Sequence, residues 1–348
     1  MQRLTSITVT VFLILFTFGG KITAQDAHFS QFFANPIYLN PAFAGTNICP
    51  RITLNFRDQW PALPGTYMTF TGAYDQHFDK INGGIGVLLY GDRAGNGTIN
   101  TYSAHFMYSF RVKLSSKFEM RLALQAGYQQ KSLNWDRLIF PDMIDPKYGF
   151  VYGTQEIRPD KEFLTSHIFD MAAGLVFYSE YLYFGAAAHH VTNPYEGFLN
   201  YDNSSRYPQR AGVGTRLPVK WTGHFGAYFD LKRKSKKERS FGDIAISPNI
   251  IYQQQAQFYY MNTGFYLNFY PFTVGLWLRN NFMKIEPLDA LIFSAGIQYD
   301  FFRIGYSYDI KLGKLAPLSG GSHEASIQFY LRCPESVKKI KELRCPSF

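Results

Sequence analysis

Residues Phe302–Arg332 have the sequence FRIGYSYDIKLGKLAPLSGGSHEASIQFYLR, two alternating runs of apolar and polar residues joined by a glycine-rich connection. The apolar face holds Phe302, Ile304, Tyr306, Tyr308 and Ile310 in the first run, and His323, Ala325, Ile327, Phe329 and Leu331 in the second. Because successive side chains of a strand point to opposite faces, this period of two predicts β-strands. Each run has about ten residues, the length of a tilted strand that crosses a membrane, and its apolar face is rich in aromatic residues. The segment therefore predicts a hairpin in the wall of an outer-membrane barrel.

The rest of the chain repeats this pattern. Fourteen strand-like runs begin near Arg51, Tyr67, Gly83, Thr98, Phe118, His167, Leu182, Leu217, Gly242, Phe258, Phe272, Ala290, Phe302 and Ser322. Long and short connections alternate, as expected when both ends of the barrel lie in the periplasm and every second connection is extracellular. The sequence predicts an all-β fold, a transmembrane antiparallel barrel of about fourteen strands over residues 51–332.

Alternation also assigns the two faces of the wall. The predicted lipid-facing positions include Phe106, Leu124, Ile297 and Phe329, and the predicted interior positions include Gln125, Gln298 and Gln328. The interior charges on this assignment are Arg121, Arg303, Asp309 and Glu324. Since a charge in a closed interior needs a partner, Arg303 is predicted to pair with Asp309 or Glu324. Structural bracing is the favoured interpretation of these charges, and a pathway for small solutes is the alternative.

Residues 1–24 are predicted to be a signal peptide. Arg3 supplies a positive start, Thr10–Gly19 is an apolar run, and Ala24 before Gln25 suits signal peptidase. Aromatic residues make up 18% of the chain, which is typical of the interfacial girdles of barrels. The sequence thus predicts export and integration into the outer membrane, with outer-membrane lipid around the wall. The net charge is +9, but the basic residues are mostly scattered, so no nucleic-acid partner is predicted.

Residues 25–50 contain no alternating run. The pairs Asn35-Pro36 and Asn40-Pro41 form turns and exclude a regular strand. Such an aromatic, proline-broken segment is predicted to plug the lumen or to brace the periplasmic rim, and a simple entry loop is the alternative. Residues 333–348 follow the last strand and are predicted to form a periplasmic tail.

Three cysteines permit one disulfide and leave one thiol over. Closing the barrel pairs the first strand with the last, which brings Cys49 beside Cys333. A disulfide needs Cα atoms within about 7 Å, whereas a helix between Cys333 and Cys345 would span about 18 Å. The pair Cys49–Cys333 is therefore favoured, while Cys49–Cys345, Cys333–Cys345 and the absence of a bond remain open.

Six motifs, in the same order, resemble the PorP/SprF outer-membrane proteins of the bacterial type IX secretion and gliding motility machinery. They are FSQFFANPIYLNPAFAG (Phe29–Gly45), NFRDQWP (Asn55–Pro61), GIGVLLYGDRAG (Gly84–Gly95), HHVTNP (His189–Pro194), GYSYD (Gly305–Asp309) and GSHEASI (Gly321–Ile327). The family-motif residues are Asn40, Pro41, Gly45, Arg57, Gln59, Trp60, Gly305, Tyr306, Ser307, Tyr308, Asp309, His323 and Glu324. The resemblance implies a fourteen-stranded barrel that assists export or surface attachment of secreted adhesins and enzymes. It also implies contact with other components of the secretion system, among them its periplasmic ring.

A rival interpretation is a channel for hydrophobic small molecules that resembles the long-chain fatty-acid transporters. These also have fourteen strands and an N-terminal hatch with an Asn-Pro-Ala element, here Asn40-Pro41-Ala42. Against it, the connection LKRKSKKERSF (Leu231–Phe241) is long and basic where a short periplasmic turn is expected, which suits a docking protein. Its candidate partner-binding residues are Lys232, Arg233, Lys234, Lys236, Lys237 and Arg239. They are predicted to contact an acidic partner or anionic headgroups, and a solvated turn is the alternative.

No catalytic, metal or cofactor site is predicted, and the protein is not expected to be an enzyme. His323 and Glu324 are neighbours on a strand and point to opposite faces, so they cannot form a base and its orienting group. The same argument excludes His189 and His190 as a metal-binding pair.

Overall fold

In a computed structural model, the chain is described over residues 26–47, 49–160, 164–198, 216–232, 242–281, 288–299, 301–312 and 316–333. Fourteen antiparallel strands form a closed barrel, which confirms the predicted fold class. They are β1 (Arg51–Gln59), β2 (Tyr67–Phe78), β3 (Gly83–Ala94), β4 (Ile99–Lys113), β5 (Glu119–Leu133), β6 (Thr165–Tyr178), β7 (Leu182–His189), β8 (Lys220–Ala227, continued as Phe229–Lys232), β9 (Ile244–Gln255), β10 (Phe258–Phe269), β11 (Phe272–Asn281), β12 (Leu288–Gln298), β13 (Phe302–Lys311) and β14 (Ser322–Tyr330).

Each strand pairs with its neighbours in the sequence, and β14 pairs with β1 to close the ring. Arg51 lies opposite Tyr330 and Gln59 lies opposite Ser322 at this seam. On the other side of the barrel, the first piece of β8 joins β7 to β9. A closed ring has no edge strand, so the wall satisfies its backbone hydrogen bonds within the membrane.

Side chains alternate between the outer surface and the interior along the strands. Leu124 is 65% exposed, whereas its neighbour Gln125 is 5% exposed. The other predicted outer positions are exposed and the other predicted interior positions are buried, namely Phe106, Ile297 and Phe329 in the first group and Gln298 and Gln328 in the second. The predicted division of the wall into two faces is confirmed at these positions.

The two rims differ in the length of their connections. Turns such as 179–181 and 270–271 lie at the rim where β1 begins, and long connections such as 134–164 and 190–219 lie at the other rim. Short turns mark the periplasmic rim and long loops the extracellular rim of a bacterial barrel. Within the described part of the chain, no helix is long and apolar enough to cross a membrane.

Residues 26–47, here called the N-terminal segment, lie inside the barrel. The short helix α1 (Pro36–Leu39) and the 3₁₀ turn Pro41–Phe43 both begin at a proline, whose fixed φ and missing N–H suit the first position of a helix. Phe33 contacts the interior rings of Tyr183 and Trp277 at centroid distances of 5.8 and 6.5 Å. This placement inside the lumen is the plug arrangement of the two that the sequence predicted.

A disulfide joins Cys49 to Cys333, whose Cα atoms are 4.4 Å apart. It links the end of the N-terminal segment to the end of β14 across the seam, which is the pairing that strand geometry favoured. Beside it, the backbone N–H of Leu331 donates to the carbonyl oxygen of Pro50 over 2.9 Å. Cys345, the predicted signal peptide and the tail beyond Cys333 lie outside the described residues.

Candidate functional site

Four charged side chains from four strands meet inside the extracellular half of the lumen. Arg57 of β1, Arg279 of β11, Asp309 of β13 and Glu324 of β14 are each at most 3% exposed, and they are called the ion cluster here. Arg57 Nη1 lies 3.1 Å from Glu324 Oε2, and Arg57 Nη2 lies 2.9 Å from Asp309 Oδ2. Arg279 Nη1 lies 3.1 Å from the same Asp309 oxygen.

Strand register explains why these residues meet. Arg57 and Glu324 lie directly opposite each other across the seam. Arg279 and Asp309 are separated by β12, where the residue opposite Arg279 is Ala290. A methyl group at this position leaves room for the long arginine side chain to reach across the intervening strand.

The N-terminal segment is bound directly to the ion cluster. The backbone N–H groups of Ser30 and Gln31 donate to the two carboxylate oxygens of Glu324 over 2.7 and 3.0 Å. The Ser30 hydroxyl donates to Asp309 Oδ2 over 2.6 Å, and it accepts from Arg57 Nη1 and Arg279 Nη2, each over 2.8 Å. The cluster is therefore shared between the barrel and its occupant.

The ion cluster and the N-terminal segment depend on each other for stability, because burying an unpaired charge is costly. An isolated charge inside a protein is strongly unfavourable, and a pair is tolerated when further hydrogen bonds satisfy its remaining donors and acceptors. Ser30 and Gln31 supply such bonds to both carboxylates and both guanidinium groups. Withdrawal of the segment would leave these bonds unmade in a closed interior.

The predicted pairing of Arg303 with Asp309 or Glu324 is wrong. Arg303 and Asp309 are six positions apart on β13, or about 20 Å at about 3.3 Å per residue. The Arg303 guanidinium instead lies 4.7 Å from the ring centroid of Tyr330, near the periplasmic rim. Alternation assigned Arg303 to the interior face, but depth along the strand decides which interior charges can meet.

A cavity of about 550 Å³ lies on the extracellular side of the ion cluster, and it is called the vestibule here. Arg57, Arg279 and Asp309 form part of its lining, as does Ala27 at the start of the N-terminal segment. Most of the lining residues are charged, histidine or otherwise polar.

The outer end of the N-terminal segment is held by an outer latch of Asp26, Asp170 and His190. His190 Nε2 lies 2.8 Å from Asp26 Oδ2, and His190 Nδ1 lies 2.8 Å from Asp170 Oδ2. Burial by itself would lower the pKa of His190, but the carboxylates of Asp26 and Asp170 outweigh it and raise the pKa to about 10. The histidine is therefore a cation that bridges two carboxylates.

His189 and His190 both line the vestibule, although alternation predicted that they point to opposite faces. His190 follows the last residue of β7 and has a φ of 59°, so it no longer obeys strand geometry. Nevertheless, the described residues contain no group of three or more histidine, cysteine or acidic side chains that could hold a metal ion.

The inner end of the N-terminal segment is fixed near the periplasmic rim. The Gly45 N–H donates to Asp75 Oδ2 over 2.9 Å, and Arg121 Nη1 donates to the carbonyl oxygen of Ala44 over 3.0 Å. Gly45 has a φ of 64°, and a Cβ added there would lie 2.6 Å from the Gly84 Cα atom. Only glycine fits this close crossing of segment and wall.

The remaining motif residues fall into two groups. The first group lies at the N-terminal segment, in the interior or at the extracellular connections, and comprises Asn40, Pro41, Gln59, Trp60, Gly305 and Ser307. The second group faces outward and comprises Tyr306, Tyr308 and His323. Asn40 shows how the first group acts, since its Nδ2 donates to the carbonyl oxygens of Leu175 and Ala186 over 3.1 Å each.

His323 and Glu324 lie on opposite faces of β14, as alternation predicted. The Tyr306 hydroxyl lies 2.6 Å from His323 Nδ1 on the outer surface, whereas Glu324 is buried in the ion cluster. Of the candidate basic connection, Lys232 is exposed at the end of β8. Arg233, Lys234, Lys236, Lys237 and Arg239 lie outside the described residues.

Two members of the site were missed by sequence reasoning. Arg279 lies two residues after the interior Trp277 on β11 and therefore shares its face, which made that face predictable. Nothing in the sequence relates the depth of Arg279 in the barrel to that of Asp309. Ser30 lies in a segment without periodicity, and only its place in the FSQFFANP motif distinguishes it.

Similarity to known proteins is found with solved structures and with a family model. None of the curated proteins searched matches the chain. Among solved structures, a monoaromatic hydrocarbon channel, the TodX deltaS2S3 mutant, is similar at 11% identity and a TM-score of 0.48, covering 84% of this chain and 92% of its own. The Pseudomonas putida toluene transporter TodX (10% identity, TM-score 0.44) covers 88% of this chain and 93% of its own. A Pseudomonas aeruginosa FadL homologue (10% identity, TM-score 0.38) covers 81% and 90%.

These structures are similar in fold alone. The family model described as type IX secretion system membrane protein PorP/SprF matches residues 22–329, which contain the barrel, the ion cluster and the N-terminal segment bound to it. The chain belongs to the PorP/SprF family of outer-membrane proteins of the type IX secretion system.

Proposed function

We propose that this barrel is a docking component of the type IX system, which assists the export or cell-surface attachment of a secreted adhesin or enzyme. It acts by contacting the periplasmic machinery and the cargo, and in gliding cells its cargo includes motility adhesins. The observation that carries this proposal is the binding of Ser30 and Gln31 to the ion cluster. A lumen occupied by the protein's own chain leaves the rims and the outer wall as surfaces for other proteins.

The periplasmic contact is assigned to the basic connection that begins at Lys232. Lysine and arginine side chains on a rim attract an acidic protein surface or anionic lipid headgroups. The sequence supports this assignment because six basic residues fall between positions 232 and 239. We infer no catalytic activity and no cofactor, since the chemically active pair His323 and Glu324 is divided between the two faces of β14.

The test is affinity purification from native outer membranes, comparing the wild type with a variant in which Lys232, Lys234, Lys236 and Lys237 are changed to glutamate. We expect the variant to accumulate normally and to recover much less of its periplasmic partner. In the matched control, four exposed residues of the extracellular connection 134–164, among them Lys147, are changed to glutamate. Recovery of the periplasmic partner should then be unchanged. Equal recovery with both variants would refute docking through the basic connection.

A channel for hydrophobic small molecules remains the alternative function. The vestibule gives that alternative a space of adequate size, in which charged and histidine side chains stand beside tyrosine and aliphatic ones. Uptake of a labelled fatty acid or aromatic hydrocarbon by cells with and without the protein separates the two functions. Protein-dependent uptake together with unaltered cargo display would favour the channel.

A further inference from the structure

The N-terminal segment extends through the lumen from its extracellular end to its periplasmic end. Residue 47 lies near the periplasmic rim, close to the start of β1, whereas Asp26 lies at the extracellular end among residues of the vestibule. The Asp26 N–H donates over 2.9 Å to the side chain of Gln255, the last residue of β9 at the extracellular rim. From Asp26 to residue 47, the chain therefore runs from the extracellular rim to the periplasmic rim.

Hydrogen bonds hold the segment at four successive depths. In the outer latch, His190 binds Asp26. Below it, Glu324 of the ion cluster binds Ser30 and Gln31. Deeper in the lumen, Asn35 donates to Thr71 over 2.9 Å. The innermost contact joins Gly45 to Asp75, which also pairs with Arg51 over 2.8 Å.

A covalent bond completes this attachment. Cys49 follows the segment directly and is linked to Cys333 at the seam, so the inner end cannot swing away from the wall. The middle of the segment is packed as tightly as a protein core, since Phe43 and Ala44 have no exposed surface. A mobile gate would need few buried contacts and solvent-exposed hydrogen bonds, and the segment has neither feature.

We propose that the mature N-terminus lies at the extracellular mouth of the barrel, and that the segment behind it is a permanent closure of the lumen. Removal of the predicted signal peptide after Ala24 would leave a single residue before Asp26. The mature chain would thus begin in the vestibule, at the opposite end of the barrel from Cys333. On this proposal, the N-terminal segment separates the vestibule from the periplasmic end of the lumen.

Cysteine labelling on intact cells tests both parts of this proposal, which does not rest on the proposed secretion function. The background is Cys345→Ser, so that the native disulfide remains and the third cysteine is absent. Ala27→Cys reports the outer end of the segment and Asn47→Cys the inner end; both residues are half-buried. Val151→Cys, at an exposed position of an extracellular connection, is the positive control. The probe is a small, charged maleimide that does not cross the outer membrane.

We expect Ala27→Cys and Val151→Cys to react on intact cells, and Asn47→Cys to react only after the outer membrane is permeabilised. Labelling of Ala27→Cys only after permeabilisation would overturn the placement of the N-terminus, as would a failure to label it in either condition. Reaction of Asn47→Cys on intact cells would overturn the closure. Heat-modifiable migration on gels confirms for each variant that the barrel is folded before the result is used.

A second measurement addresses closure without relying on chemical labelling. The wild-type protein reconstituted in a planar bilayer should show no ion conductance. Paired substitution of Ser30→Ala and Gln31→Ala weakens the hold of the ion cluster on the segment while leaving the wall intact, and brief openings are expected. Steady conductance of the wild type would overturn the proposal.

Discussion

Removal of the Arg57 guanidinium tests whether the ion cluster holds the barrel and the N-terminal segment together. The substitution Arg57→Met keeps the length and apolar volume of the side chain and deletes its charge. It removes the contacts to Asp309 Oδ2 at 2.9 Å, to Glu324 Oε2 at 3.1 Å and to Ser30 Oγ at 2.8 Å. Arg279 remains as a partner of Asp309, and Glu324 keeps only its backbone donors.

Breaking a buried ion pair by removal of one partner typically costs about 3–5 kcal/mol, because the other charge is left buried without compensation. Arg57 is 2% exposed, so we expect a loss in this range in the free energy of unfolding. The matched control is Arg158→Met, which removes an ion pair to Asp136 whose side chains are 50% and 67% exposed. Exposed pairs contribute about 0–1 kcal/mol.

The assay is urea unfolding of the barrel in lipid vesicles, followed by the fluorescence of tryptophan. A double-mutant cycle with Glu324→Gln isolates the interaction between the two side chains. In the Arg57→Met background, neutralisation of Glu324 should cost less than in the wild type, because it removes an uncompensated charge. Equal losses for Arg57→Met and Arg158→Met, or additive effects in the cycle, would refute the view that the buried charges depend on one another.

Three further predictions concern the wall, the seam and the outer latch. Leu124→Arg places a charge on the outer face of β5 and should cost about 2–4 kcal/mol in vesicles if it lies near the bilayer midplane, whereas Val151→Arg in a connection should cost nothing measurable. Cys333→Ser should lower the free energy of unfolding by about 5 kcal/mol, since the bond closes a loop spanning 284 positions, and Cys345→Ser should not. The raised pKa of His190, about 10 in the folded chain against 6.5 for the free group, means that its stabilising effect is complete below pH 6.5 and is lost as the pH rises through about 10. The stability difference between the wild type and His190→Gln should therefore shrink between pH 7 and pH 10, and a constant difference would contradict the charged bridge.

Local alternation of side chains was sufficient to predict the wall of the barrel. Alternation with a period of two is regular in Phe302–Arg332 and recurs along the chain, so strand type, the two faces of the wall and the number of runs follow from it. Side-chain direction in a strand is a local property, which is why Leu124 and Gln125 were assigned to the correct faces. The same local geometry, with closure of the ring, also indicated that Cys49 and Cys333 meet at the seam.

Which interior groups meet could not be predicted from local pattern, because it depends on how the strands are arranged in three dimensions. Contact between Arg57, Arg279 and Asp309 depends on the relative stagger of strands far apart in the sequence, and no periodicity encodes that stagger. The sequence pattern therefore named Arg303 as the partner of Asp309, on the right face but at the wrong depth. The path of the N-terminal segment is the second case, because residues 26–47 have no repeating pattern. Packing and hydrogen bonds to Glu324 and other interior groups determine that path. These contacts form only when the wall has closed around the segment.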